Sequence, residues 1–138
     1  MAQTLLAALT LFGTRPCLGR WRGDWAWLSA QDVLQETLKI AAGLNTMLSK
    51  VDFKTDLDTC HSQTFFQRDH IAVCSKPKIE WLLADMSILV SNFVAVPMHH
   101  VISDDDLQFI ANHAEVTAVF CSAELIPRVR ATLFMNVA

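Results

Sequence analysis

Glycine is scarce in this chain: four residues in 138, at 13, 19, 23 and 43, and never two together. That spacing excludes a glycine-rich loop, in which successive residues without a Cβ let backbone N–H groups close around a phosphate. Cysteine is equally sparse, at 17, 60, 74 and 121. No two stand at metal-ligand spacing and no disulfide framework emerges. Cys74 and Cys121 lie inside apolar runs, so the four read as reduced thiols of a cytosolic protein. Positive charge is short as well, with 11 Lys and Arg against 14 Asp and Glu and a net charge of −3. Such a surface offers no basic field to a phosphate backbone, which excludes nucleic acid as a partner. Charged residues make up 18% and hydrophobic ones 52% of the chain, the reverse of a disordered composition. The length suits one domain core and is too short for two.

An uninterrupted membrane span is also missing. The nearest approach, "EWLLADMSILVSNFVAVPM" (80–98), carries Asp85 in its middle, the polar pair Ser91-Asn92 and Pro97 near its end. A span needs about twenty apolar residues without unpaired charge. Here Trp81, Leu82, Met86 and Leu89 follow helical spacing, and "FVAVPM" changes to a strand-like run, so the stretch divides into a helix and a strand. The N-terminal run "MAQTLLAALTLFGTRP" lacks the basic residues that precede a signal-peptide core. Leu5, Leu9 and Phe12 predict a short amphipathic helix ending near Gly13, which leaves room for a peripheral membrane contact.

What is present is an alternation of elements. Cys17–Trp21 and Trp25–Leu28 flank Arg22-Gly23-Asp24 and predict a β-hairpin, with Trp21, Trp25 and Trp27 as packing residues. Ser29 caps the next helix, with Asp32 reaching back. Leu34, Leu38, Ala41 and Leu48 form its apolar stripe, and it ends between Leu44 and Ser49. Residues 49–69 show no period and read as a loop insertion. Asp56, Asp58, Cys60 and His61 within it match no standard metal spacing and are solvated loop residues. Ile71–Cys74 is a continuous apolar run suited to a strand covered on both faces. Ser75 and Pro77 then open a helix, as cap and first-turn residue. Ser103 caps a further helix whose first turn holds Asp104, Asp105 and Asp106, where carboxylates meet the positive end of the helix dipole. That placement accounts for the three aspartates without a magnesium ion. Leu107, Ile110, Ala111 and Ala114 give this helix its apolar face, Val116–Ser122 is a second buried strand, and a helix over 123–133 follows.

Strands alternating with helices imply an α/β fold: a partial three-layer domain of parallel strands and crossover helices, plus an N-terminal β-hairpin. Three parallel strands leave an open sheet edge unless something covers it.

Six segments resemble, in order and spacing, the N-terminal region of adenylate-forming (AMP-binding) acyl-CoA synthetases, in particular the long-chain fatty acyl-CoA ligases of lipid metabolism. They include "RPCLGRW", "WLSAQDV", "VCSKPKIEWLLAD", "FVAVPM" and "IANHAEVTAVFC". The sequence departs from the family pattern at Ala30, where Tyr is usual. Pro77 lies two residues before the usual proline position, held here by Ile79, and Met98-His99 replaces Leu-Tyr to give the pair His99-His100. The resemblance implies that residues 1–138 are an incomplete N-terminal portion of a synthetase domain, with 49–69 as a loop insertion. In the complete family enzyme a carboxylate attacks the α-phosphate of ATP, giving acyl-adenylate and pyrophosphate, and the CoA thiol then displaces AMP to give the thioester. ATP, Mg²⁺ and CoA are its cofactors. The family's Ser/Thr/Gly-rich Pro-Lys-Gly loop, its Tyr-Gly-x-Thr-Glu segment, its ribose-binding Asp and its C-terminal Lys have no counterpart here, and the chain has no tyrosine at all.

The chain therefore carries no catalytic, cofactor-binding or metal-binding set of its own. His100 and Ser103, in the turn after the Val-Pro strand, are the two candidates that the resemblance suggests for a CoA contact in a complete enzyme. The expected partners are the remainder of a synthetase or a full-length synthetase, in a cytoplasmic setting with room for membrane association. The alternative is a stand-alone module that docks on a full-length synthetase or binds acyl-CoA. A doubly wound nucleotide binder of another kind would need a glycine-rich first turn where this chain has "CSKPK".

Overall fold

The structure is a computed structural model and describes residues 1–48 and 69–134. The expected loop insertion, with Asp56, Asp58, Cys60 and His61, lies outside the described residues apart from Asp69. In chain order the elements are α1 (Ala2–Phe12), β1 (Pro16–Trp21), β2 (Trp25–Ser29), α2 (Ala30–Leu48), β3 (His70–Cys74), α3 (Ile79–Val90), β4 (Val94–Met98), α4 (Asp104–His113), β5 (Val116–Cys121) and α5 (Ile126–Phe134). A 3₁₀ turn, Ala123–Leu125, leads into α5.

Side-chain alternation in β3 builds the centre. Ile71 and Val73 point to one face and Ala72 and Cys74 to the other, and none is more than 2% exposed. Such a strand needs cover on both sides. β4 and β5 flank it in parallel, in the order β4-β3-β5, so both outer strands are edges among the described residues. On one face Ile71 and Val73 meet Leu44 and Leu48 of α2 and Ala84 and Ile88 of α3. On the other, Ala72 and Cys74 meet Leu107 and Ala111 of α4 and Val129 of α5. This is the expected three-layer arrangement of parallel strands and helices. The edge position explains one difference: β5, expected to be buried, is only half-buried along most of its length.

α2 begins as its sequence dictates. The Ser29 N–H and hydroxyl both donate to Asp32 Oδ2, at 2.9 and 2.7 Å, and the Asp32 N–H donates to Ser29 Oγ at 3.1 Å. Its buried stripe differs from the expected one. Val33, Thr37, Ala41, Leu44 and Leu48 face inward, while Leu38 is 44% exposed. Small residues govern this face, because α2 and α3 approach closely: the buried Ser87 hydroxyl of α3 donates to the Thr37 carbonyl at 3.0 Å.

α3 starts later than expected. Its N-cap is Lys78, without a side-chain cap, and Pro77 precedes the helix. Ser75 does not cap it; its hydroxyl donates to the Lys76 carbonyl at 2.9 Å. The helix stops as the sequence indicates. Asn92 takes φ 62°, the Phe93 N–H reaches the Ile88 carbonyl at 3.1 Å, and the backbone turns into β4.

The hairpin forms a further layer. β1 and β2 pair antiparallel, and Gly23 holds the turn at φ 84°. Leu18 and Leu28 face inward, into a cluster with Leu9 of α1, Val33 of α2 and Leu83 of α3. The tryptophans do not join it. Trp21, Trp25 and Trp27 stand outward and more than half exposed, so their packing is mainly against one another. α1 likewise buries Leu9 but leaves Phe12 exposed at its end. No helix among the described residues is long and apolar enough to cross a membrane.

Candidate functional site at the carboxyl ends of the sheet

Three parallel strands deliver their following loops to one end of the sheet, where open α/β sheets bind ligands. β3 leads into Ser75–Lys78, β4 into His99–Ser103 and β5 into Ser122–Leu125. A crevice of about 240 Å³ lies there, lined by Ser75, Lys78, Trp81, Phe120 and Ser122 among others.

Two buried polar atoms at this end have no hydrogen-bond partner among the described residues: Nδ1 of His100 and Oγ of Ser122. A buried polar atom left unpaired is costly. The His100 imidazole is held toward its neutral form, first by loss of solvent, then by His99 and Lys76, with Glu124 opposing. The rings of His99 and His100 have centroids 4.5 Å apart. Glu124 is held below the usual carboxylate range, chiefly by its own backbone N–H and then by Lys78 and Lys76. The Ser122 hydroxyl also leans on that carboxylate, short of regular hydrogen-bond geometry.

Arg128 of α5 fixes the turn after β4. Its Nε donates to Asp104 Oδ1 at 2.6 Å, Nη1 to the His100 carbonyl at 3.3 Å, and Nη2 to the Ile102 carbonyl. Ser103 is committed to its helix: Oγ accepts from the Asp106 N–H at 3.1 Å and donates to Asp106 Oδ2 at 2.6 Å. The aspartates of α4 are thus employed in place, Asp106 in the cap and Asp104 against Arg128. Of the two sequence candidates, the fold brings His100 beside Lys76 and Glu124 and leaves Ser103 as a cap. Lys76, Lys78, Ser122, Glu124 and Arg128 were not picked out by the sequence reading. Their one signal is position: four of the five directly follow a strand of the parallel sheet.

The crevice can hold a polar group against the Lys78 ammonium and the Ser122 hydroxyl, with the Glu80 carboxylate also in its lining. Among the described residues no histidine nitrogen bonds a Ser, Thr or Cys side chain. Cys74 and Cys121 are free thiols in register on neighbouring strands, both pushed up, and so held protonated, mainly by burial. ATP phosphates and Mg²⁺ do not fit the residues present. No glycine lines the crevice, and no three His, Cys, Asp or Glu side chains among the described residues group around a cation position.

No family model matches the sequence. Among curated proteins, fatty acyl-CoA synthetase B of Dictyostelium discoideum is 22% identical over 133 residues, covering 91% of this chain and 17% of that protein. Long-chain-fatty-acid–CoA ligase 6 of Rattus norvegicus is 24% identical over 121 residues, covering 86% of this chain and 15% of that one. Among solved structures, the A-PCP didomain of carboxylic acid reductase from Segniliparus rugosus superposes with a TM-score of 0.75 at 18% identity, over 95% of this chain and 19% of that one. The chain thus spans under a fifth of the length of these relatives. In sequence and in fold, it is similar to the N-terminal part of an adenylate-forming acyl-CoA synthetase.

Proposed function

We propose that this chain is the N-terminal scaffold portion of a fatty acyl-CoA synthetase and does not form acyl-adenylate alone. The observation that supports this reading is the carboxyl end of the sheet. It presents Lys78, Glu80 and Ser122 around a crevice, yet no glycine lines it to admit phosphate oxygens to backbone N–H groups. In the complete enzyme the fatty acid carboxylate would displace pyrophosphate from ATP, and CoA would displace AMP. This portion would support the loops that bind those groups, with His100 in the turn after β4 as a CoA contact. The test is pyrophosphate exchange into ATP with a long-chain fatty acid and Mg²⁺. The 138-residue chain should give no exchange above blank, and measurable exchange would overturn the proposal.

The uncovered edges of β4 and β5 favour a second reading, a module that docks on a full-length synthetase or binds acyl-CoA. Size-exclusion with and without acyl-CoA separates the two: a well-folded monomer that ignores the ligand leaves the module reading unsupported.

A further inference from the structure

The last residues of β3 and β5 carry a pair of thiols that the synthetase reading leaves without a role. Cys74 and Cys121 are direct partners in the parallel register, and the Ser122 N–H ties the two strand ends by donating to the Cys74 carbonyl at 3.3 Å. Partners in a parallel ladder send their side chains to the same face. Both cysteines accordingly pack toward α4 and α5, with Leu107 and Val129. Neighbouring strands lie about 4.8 Å apart, within the Cα separation of about 4.4–6.8 Å that a disulfide spans. A relaxed bridge asks for Cβ atoms about 3.8 Å apart, so closure draws the two strands slightly together. β5 can follow, because it is paired on one side only among the described strands.

The two thiols differ in access. Cys74, on the central strand, is 1% exposed. Cys121 is half-buried and borders two openings: the crevice at the carboxyl end of the sheet, and a wider one of about 520 Å³ that Ile126, Val129 and Arg130 also line. Burial holds both protonated. Cys121 adds to that effect on Cys74 while Arg128 of α5 opposes it, and Glu124 adds to the effect on Cys121. That one thiol acts on the other is the electrostatic mark of sulfurs at close range. A reachable thiol in register with a buried one is the arrangement of an attacking and a resolving cysteine.

We propose that Cys74 and Cys121 are a cross-strand dithiol that low-molecular-weight disulfides oxidise to an intrachain bond, with Cys121 attacking first and Cys74 resolving. The Cys121 thiol gives its proton to solvent, and its thiolate attacks one sulfur of the small disulfide, whose S–S bond breaks and releases one thiol. Cys121 then carries a mixed disulfide. The Cys74 thiolate, its proton likewise lost to solvent, attacks the Cys121 sulfur and expels the second thiol. Two cysteine thiols are oxidised, and one small disulfide is reduced to two thiols. The bond joins the strand ends from which Ser75 and Ser122 enter the crevice. This does not depend on the synthetase reading.

The test uses the full chain carrying Cys17→Ser and Cys60→Ser, with oxidised glutathione as the small disulfide and mass spectrometry of the unreduced chain and its peptides. Without urea the monomer should lose two hydrogens, and Cys74 and Cys121 should appear in one linked pair of peptides. Adding Cys74→Ala should stop the reaction at one glutathione on Cys121. Adding Cys121→Ala instead should leave Cys74 at least about tenfold slower to react than Cys121. Far-UV dichroism verifies the fold of both variants, and the linked peptides of the parent chain do not depend on them. An unreacted parent chain would overturn the proposal, as would a lasting glutathione on Cys121 beside a free Cys74. So would a Cys74 that reacts as fast as Cys121. Closure that gains speed with urea in step with the unfolded fraction would also overturn it, by placing the reaction in the unfolded chain.

Discussion

At the residue scale, Asp85 shows how one side chain can be informative twice. In the sequence it breaks an apolar run that would otherwise pass for a membrane span. In the structure it lies half-buried on α3, with no ion pair among the described residues, and burial pushes its carboxyl above the usual range. The native state therefore holds this proton more tightly than the unfolded chain does. Its effect on stability is harmless at low pH and grows unfavourable as pH rises from the unfolded value through the raised native one. Urea unfolding should show stability falling over that window, and Asp85→Asn should flatten the fall and raise the neutral-pH midpoint. An unchanged pH profile in the variant would assign the dependence to another group. His100 makes the opposite point about legibility. The resemblance indicated it by position alone; its surroundings bring Lys76 from the segment after β3, Glu124 from the turn after β5 and Arg128 from α5, which no local pattern encodes.

At the element scale, the local grammar was legible and the packing faces were less so. The Ser29–Asp32 box and the Ser103 cap form as expected, because a cap is settled by four consecutive residues. Ser75 and Pro77 do not open α3 for a physical reason: the chain bends after β3, and Lys78 is still extended at φ −157° and ψ 171°, so the helix can coil only from Ile79. The α2 stripe differs from the expected one because size does not decide which residues face inward here. Close approach to α3 instead selects Thr37 and Ala41, and Leu38 is left outside. The Trp-rich hairpin inverted expectation similarly, since alternation fixes which side chains share a face and says nothing of which face the helices cover. The boxes carry a measurable consequence. Ser29→Ala removes the acceptor for the Asp32 N–H and the donor to its carboxylate, which the Ser29 contacts hold below the usual range. The variant should lose about 1 kcal/mol in denaturant unfolding. Part of what it loses is pH-dependent. A carboxyl depressed in the native state contributes above its unfolded value and ceases to contribute as pH falls through the native one, so wild type and variant should converge in acid. A constant gap across that range would mean that the hydroxyl acts without the carboxylate.

At the scale of the whole molecule, one strand joins everything. β3 contributes Ile71 and Val73 to the α2–α3 layer and Ala72 and Cys74 to the α4–α5 layer, and among the described strands it alone has a partner on each side. The layering was foreseeable from the alternation of elements. The central place of β3 was not, because the order of strands in a sheet is decided by crossovers and not by composition. The edges differ in kind: β4 and β5 are each paired on one side only, and the hairpin is a two-stranded ribbon held by one inward face. Local opening should follow this hierarchy, since it is easiest where few buried apolar contacts resist it. In native-state hydrogen exchange the amides of Ile71–Cys74 should therefore be the slowest, opening only with the whole domain. Those of Trp25–Leu28 should open without it, at lower free energy. Ile88→Ala, which empties a fully buried position under β3, should cost about 2–5 kcal/mol and lower protection in β3 by that full amount. Hairpin amides that exchange through local opening should be unchanged by the same substitution. If the hairpin instead outlasts β3, or loses protection in step with it, the ribbon and the sheet form one cooperative unit, and stability would not be ranked about the central strand.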